Sequence, residues 1–283
     1  MPGVSVIIPT WNRASRLVRA VSSVLDQNFK DMEVIVVDDG STDETKDEIL
    51  RFGPPVRYIS HPSNLGVSAA RNTGIRASKA PLIAFLDSDD YWLREKLPAQ
   101  VAFFEYNPDA LICQTDEIWI RGGHRVNPKK KHMKPSGDIF LPSLKLCLVS
   151  PSAVMLKRSL LDKTGLFDEN LVVCEDYDLW LRISCRYPVY LIKRPLVVKT
   201  GGHPDQLSRS HPGMDRFRIK SLEKLIKSGL LSNVQMKATL QELALKCRVY
   251  GNGCLRRGKK EEGDFYLKLP EKLTARAFDA ELM

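Results

Sequence analysis

Over the first half of the chain, short β-branched apolar runs alternate with stretches whose apolar positions recur every three or four residues. This is the pattern of parallel strands joined by crossover helices. Val4 to Pro9 is the first run, after which Leu17, Ala20, Val21, Val24 and Leu25 fall on one helical stripe. Glu33 to Asp38 is the second run. Ser41-Thr42-Asp43-Glu44 follows with the spacing of a capping box and opens a helix towards Leu50. Val56 to Ser60, a helix over 67–77 and a strand from Leu82 to Leu86 complete the series. Ile-Val-Val and Leu-Ile-Ala-Phe-Leu are apolar on both faces, as strands covered by helices on both sides must be. The pattern predicts an open, mostly parallel α/β sheet flanked by helices.

The periodicity lapses from Arg121 to Asp138, where Gly, Pro and Lys predict a loop or flap. It resumes with a strand from Ala153 to Leu156 and a helix from Glu175 to Tyr187. Beyond Gly201-Gly202, Leu222, Leu225 and Ile226, then Leu240, Leu243, Ala244 and Cys247, mark a helical C-terminal extension. That extension is either an amphipathic cap or a basic surface for an anionic membrane, a lipid-linked acceptor or a second chain. The oligomeric state is open.

Composition and local pattern add four bounds. The 283 residues, 43% of them apolar, suffice for one large core. A net charge of +9 points to polyanionic partners, although Lys129-Lys130-Lys131 and Arg256-Arg257-Gly258-Lys259-Lys260 also read as solvated faces. Without interleaved aromatic and basic positions, nucleic acid is not expected. Six cysteines lack CxxC spacing and read as thiols in a reducing compartment. No leader pattern and no apolar run of about 18 residues is evident, so the expected location is cytoplasmic, with peripheral contact at the inner face of the membrane at most.

The candidate chemistry sits where strands end. Ligands of open α/β sheets bind beyond the carboxyl ends of the strands. Asp38-Asp39-Gly40 closes one strand and Asp87-Ser88-Asp89 another, so four carboxylates gather on one rim. Such crowding calls for a cation, and hard oxygen ligands suit Mg2+ or Mn2+. Asp-Asp-Gly is equally a turn former. A calcium loop fails because Trp92 and Pro98 stand where its Gly and Glu belong. Pro9-Thr10-Trp11-Asn12 occupies the place of a GxGxxG, which disfavours classical dinucleotide binding.

Five segments together resemble the family 2 glycosyltransferases of the nucleotide-diphospho-sugar transferase fold (fold type A). They are Val-Ser-Val-Ile-Ile-Pro-Thr-Trp-Asn-Arg (4–13), Val-Val-Asp-Asp-Gly-Ser-Thr-Asp (36–43), Asn-Leu-Gly-Val-Ser-Ala-Ala-Arg-Asn-Thr-Gly (64–74), Phe-Leu-Asp-Ser-Asp-Asp (85–90) and Glu-Asp-Tyr-Asp-Leu-Trp-Leu-Arg (175–182). The resemblance implies a catalytic domain over 1–205, with a nucleotide-binding half of about 1–115 and an acceptor half of about 116–205, followed by a helical extension over 206–283. It implies a UDP- or dTDP-sugar donor, a saccharide, lipid-linked or protein glycan acceptor, and inverting transfer in surface polysaccharide or glycoconjugate synthesis.

The same resemblance implies the roles of individual residues. Pro9, Thr10 and Asn12 would line the nucleobase slot, with Asp39 accepting from a ring N–H and Asp38 beside it. Arg71 would reach the base or diphosphate, Asp87 the ribose or metal, and Asp89 the metal. His203 would complete the metal shell from a gate over 201–208, whose glycines permit a lid. Asp176 would be the general base with Glu175 in support, and Trp180 would be either core or a sugar platform. Alternatives are a nucleotidyltransferase on a related sheet and a non-catalytic nucleotide- or nucleic-acid-binding protein.

Overall fold

The structure is a computed structural model that describes residues 1–203 and 211–279. Its strands are β1 (Val4–Thr10), β2 (Met32–Asp38), β3 (Val56–Ser60), β4 (Leu82–Phe85), β5 (Tyr91–Trp92), β6 (Ile112–Arg121), β7 (His124–Val126), β8 (Val154–Lys157) and β9 (Tyr190–Gly201). They form one sheet ordered β3-β2-β1-β4-β8-β6-β9-β5, with β7 paired to the far end of β6. The four strands of the first half pair in parallel, as the alternating pattern predicts. The second half extends the sheet with β8 antiparallel to β4 and β6, β9 parallel to β6, and β5 antiparallel to β9.

Helices cover both faces. α1 (Ala14–Leu25), α2 (Thr45–Leu50), α3 (Val67–Ala77), α4 (Lys96–Tyr106), α5 (Phe140–Lys145), α6 (Arg158–Thr164) and α7 (Glu175–Ser184) precede β9. Because side chains alternate along a strand, Val4, Val6 and Ile8 of β1 join a core with Leu17, Ala20, Val21 and Val24 of α1, whereas Ile7 joins Ile75, Phe85 and Trp180 in a second. α3 lies so close to β1 that a Cβ on Gly74 would stand 2.4 Å from Ile7 Cγ2.

The extension supplies α8 (Asp215–Ile226), α9 (Asn233–Arg256) and α10 (Lys260–Asp279). Leu222, Leu225, Leu243 and Cys247 pack on Tyr177 and Leu181 of α7 and on Phe140 and Leu144 of α5, which makes the extension a buttress for α7. α9 opens with a capping box in which Ser232 and Gln235 bond reciprocally.

Three expectations need correction. No capping box forms at Ser41–Glu44, because both groups of Ser41 are taken: its Oγ accepts from the Asn12 amide and its amide donates to Asp38 Oδ1. Asp43 instead ties α2 to α1, its Oδ1 accepting from the Thr45 amide and its Oδ2 from the Ala14 amide. The stretch 121–138 is not a bare loop, since β7 folds back on β6 and a 3-10 turn spans Lys130–His132. The helix opening at Glu175 ends at Ser184, three residues early. The boundary at 205 and the gate residues after His203 lie outside the described residues. Among the described residues no helix is long and apolar enough to cross a membrane.

Candidate active site

The ends of β1 and β2 are laced together. Asn12 takes the left-handed conformation (φ 50°), which asparagine tolerates, and its amide donates to Ser41 Oγ at 2.8 Å while its Oδ1 accepts from the Thr42 amide at 2.8 Å. Pro9 is buried within β1. Thr10, opposite Asp38, carries a buried hydroxyl with no partner among the described residues. Asp38 accepts from the Ser41 amide at 2.9 Å and from the Tyr58 hydroxyl at 2.5 Å.

Asp39 accepts from the amides of Leu65 (2.9 Å) and Gly66 (2.7 Å) and lies 2.7 Å from His61 Nδ1. Three of its roughly four acceptor positions therefore hold the loop that starts α3. Both aspartates do the work of a turn. His61, which no sequence signal marks, meets Asp39 only because β2 and β3 are neighbours.

The segment Asp87-Ser88-Asp89-Asp90 gives its three carboxylates three environments. Asp90 points inward, accepting from the Thr200 amide (2.9 Å) and the Ser152 hydroxyl (2.7 Å), and burial lifts it well above the ordinary carboxylate range. Asp87 accepts from Arg71 Nη2 at 2.8 Å. Burial raises Asp87, but Arg71 and then Lys199 outweigh it and hold the carboxyl below its usual value. Asp89 lies towards α1, with Oδ2 3.1 Å from Arg13 Nη1 and 3.0 Å from His203 Nε2, and its carbonyl accepts from Arg19 Nη2 at 3.0 Å. Beside it opens a cleft of about 800 Å3 lined by Asn12, Arg13, Ser15, Arg16, Asp43 and Glu44.

On the other side, buried Arg71 of α3 bridges the two halves, donating from Nη2 to Asp87 and from Nη1 to Glu175 Oε1 at 2.5 Å. Glu175 and Asp176 open α7 behind Cys174, itself left-handed (φ 63°). Burial first and Asp176 second lift Glu175 to about 7 against the pull of Arg71. The Asp176 carboxylate accepts from the Tyr177 amide at 2.7 Å and lies 3.5 Å from the Cys147 thiol. Trp180 is core: it is buried, packs edge-on to Phe167 at 6.2 Å, and does not serve as a sugar platform.

Lys199 escapes a reading of motifs. It donates to Ser150 Oγ at 3.0 Å, and Glu117, Asp90, Asp87 and Asp176 outweigh its burial, keeping it charged above its ordinary range. Arg13, the last residue of the Pro-Thr-Trp-Asn-Arg segment, has no role implied by the sequence and meets Asp89 through the fold.

The donor set suits a divalent cation in part. Asp89 fits, because Mg2+ or Mn2+ bound with a nucleoside diphosphate takes one or two protein carboxylates and completes its shell with phosphate oxygens and water. His203 fits conditionally. Arg16 Nη1 lies 3.2 Å from its Nδ1, and an arginine only donates, so the ring proton sits on Nε2 facing Asp89. Ligation through Nε2 requires Arg16 to let go. Among the described residues no three His, Cys, Asp or Glu side chains converge on one point.

The strand ends of this open α/β sheet thus gather acidic groups and arginines opposite a second acidic pair that opens α7. The chain matches the family model "Glycosyl transferase family 2" over residues 5–165, more than half its length, and belongs to that family of sugar-transferring enzymes. It is 33% identical over 181 residues to the Escherichia coli UDP-Glc:alpha-D-GlcNAc-diphosphoundecaprenol beta-1,3-glucosyltransferase WfgD, covering 64% of this chain and 69% of that one. Against some glycosyltransferases of Rickettsia the chain spans only 32% of the relative.

The fold matches that of S. aureus TarS in complex with UDP-GlcNAc, with TM-score 0.76, 20% identity, and 95% and 79% of the two chains covered. It also matches the Pyrobaculum calidifontis mannosyltransferase PcManGT in complex with GDP-Man and Mn2+, with TM-score 0.63, 18% identity, and 98% and 86% covered. These likenesses establish the nucleotide-diphospho-sugar transferase fold, and family membership displaces the nucleotidyltransferase reading.

Proposed function

We propose that the chain is an inverting glycosyltransferase that moves a sugar from a UDP- or dTDP-sugar to a hydroxyl of a lipid-linked saccharide, in surface polysaccharide or glycoconjugate synthesis at the inner face of the membrane. The observation that carries this reading is the Asp87–Arg71–Glu175 bridge. It couples the strand-end acids of residues 1–115 to the acidic pair opening α7 in residues 116–205. Residues 206–283 are taken as an extension that supports α7. The lipid-linked acceptor follows from the likeness to WfgD, whose acceptor is a diphosphoundecaprenol saccharide.

Pro9, Thr10 and Asn12 form the base slot in this reading. The unpartnered Thr10 hydroxyl and the one acceptor position left on Asp39 are the groups assigned to the base edge. Asp87 is assigned to the ribose, and Asp89 to a Mn2+ or Mg2+ ion, with His203 joining once Arg16 releases it. When bound, such an ion neutralises charge on the departing diphosphate. Asp176 accepts the proton of the acceptor hydroxyl as that oxygen bonds to the anomeric carbon; the bond from that carbon to the diphosphate oxygen breaks on the opposite face, inverting the centre. Lys199, Arg13 and Arg16 surround the site with fixed positive charge suited to the leaving group.

Titrating UDP, dTDP and GDP with and without Mn2+ tests the donor side, where Asp89→Ala is expected to lose the metal-dependent part of the affinity. Asp176→Asn is expected to lower transfer by at least ~100-fold while nucleotide binding persists, in line with the loss of a general base. An Asp176→Asn enzyme that transfers normally would sink the assignment of the base.

A further inference from the structure

One surface next to the site carries a basic run uninterrupted by any acidic residue. From Ile118 to Gly137 there is no acidic residue, while Arg121, Arg125, Lys129, Lys130, Lys131 and Lys134 all fall there. Lys134 anchors the segment: its Nζ is buried 3.0 Å from Glu117 Oε1 and donates to the Thr115 carbonyl at 3.0 Å. His132 packs on Trp119 with ring centroids 5.2 Å apart, and Ser136 Oγ accepts from the Leu191 amide at 3.0 Å. The other cations are therefore displayed on a fixed platform. Arg125, Lys129, Lys130 and Lys131 are exposed, and none is paired with a carboxylate among the described residues. Met133 stands among them with 70% of its surface in solvent. A basic cluster with an exposed apolar side chain is the chemistry of a bilayer's phosphate layer, where cations meet phosphates and the apolar group enters the interface.

Position names the same occupant. The Gly122 amide donates to the Gly201 carbonyl at 3.3 Å, one residue from Gly202 and two from His203, so the hairpin borders the site. The basic run of the extension differs, because Glu261 and Glu262 follow it directly and Lys259 lies 3.6 Å from Glu262. We propose that the hairpin over residues 121–133 is a docking face for an anionic phospholipid membrane, seated through Arg125, Lys129, Lys130 and Lys131 with Met133 in the interface. This deepens the reading of a lipid-linked acceptor: docking there sets the site over the surface from which the acceptor's sugar projects.

Sedimentation with phosphatidylglycerol-containing and with pure phosphatidylcholine vesicles, at low and high salt, tests it. Wild type should bind the anionic vesicles alone and lose them at high salt. K129Q/K130Q/K131Q should bind about a hundredfold more weakly, from roughly fivefold per neutralised lysine, with an unchanged melting temperature. R256Q/R257Q should bind as wild type does. Failure of wild type to bind, a triple variant that binds normally, or a loss confined to R256Q/R257Q overturns the proposal. Tighter binding to single-stranded DNA than to the vesicles overturns it in favour of a nucleic-acid surface. Transfer to a water-soluble, short-chain acceptor should be the same for wild type and K129Q/K130Q/K131Q. Its absence from wild type would count against the glycosyltransferase assignment and leave the vesicle result standing.

Discussion

Replacing Arg71 with methionine isolates the bridge between the two halves. The guanidinium is buried and touches Asp87 at 2.8 Å and Glu175 at 2.5 Å, so its removal leaves Glu175 buried without a cation and takes from the partly exposed Asp87 its nearest positive charge. Breaking a buried pair by deleting one partner costs about 3–5 kcal/mol. With an unfolding entropy of ~2.1 cal/mol/K per residue, a loss of ~4 kcal/mol lowers the melting temperature of a chain this long by roughly 7 °C.

The pH dependence carries the diagnosis. In the wild type Glu175 sits at about 7 against an ordinary 4.5, so the folded state binds its proton more tightly than the unfolded chain does. Wild-type stability from this group is therefore full below 4.5 and declines until pH 7. Without Arg71 that value moves higher still, so the variant goes on losing ~1.4 kcal/mol per pH unit beyond the point where the wild type levels off. Melting curves at mildly acidic, neutral and mildly alkaline pH should show the gap between the two proteins widening as pH rises above neutrality. In a Glu175→Gln background that widening should vanish. A melting temperature within 2 °C of wild type (about 1 kcal/mol by the same conversion), or a gap that narrows with rising pH, refutes the bridge.

Two further outcomes follow from the packing around the same rim. Gly74→Ala places a methyl 2.4 Å from Ile7 Cγ2 and should cost about 1–3 kcal/mol in thermal unfolding, with nucleotide affinity per folded molecule unchanged. Asp90→Asn should leave both melting temperature and metal-dependent UDP affinity near wild type, because Asp90 is lifted towards its neutral form between Thr200 and Ser152, whereas Asp89→Asn should lose the metal-dependent part; calorimetric titration of both separates the two neighbours.

The parallel half was legible because its strands are uninterrupted apolar runs and its helices carry clean stripes, as Val34 to Val37 and Leu17 to Val24 show. The rest hid for definite reasons. Lys193-Arg194-Pro195 breaks the pattern of β9, and a register shift at Asp116 disguises β6. Lys96 is wholly buried on a helix face, over the Trp92 ring and bonded to Gln100, where a charged residue signals solvent. Within the site, Asp87, Asp89 and Asp176 stand out as residue types in a recognisable order. What no spacing reveals is that Asp39 is largely spent on the amides of Leu65 and Gly66, or that Lys199 arrives from the far end of the sheet.

That late arrival also bears on synthesis. The loop bearing Asp89 and Asp90 is translated early, yet it is held by the Thr200 amide and hydroxyl, and the Leu93 amide that follows is held by the Leu196 carbonyl. A ribosome therefore completes the first four strands and their aspartates well before it emits the segment that fixes their geometry. A nascent or prematurely terminated chain ending short of β9 lacks those clamps. The geometry of that loop is therefore fixed only once Thr200 has been made, and any graft that exchanges the C-terminal portion has to carry its crossover beyond Thr200 to keep those clamps.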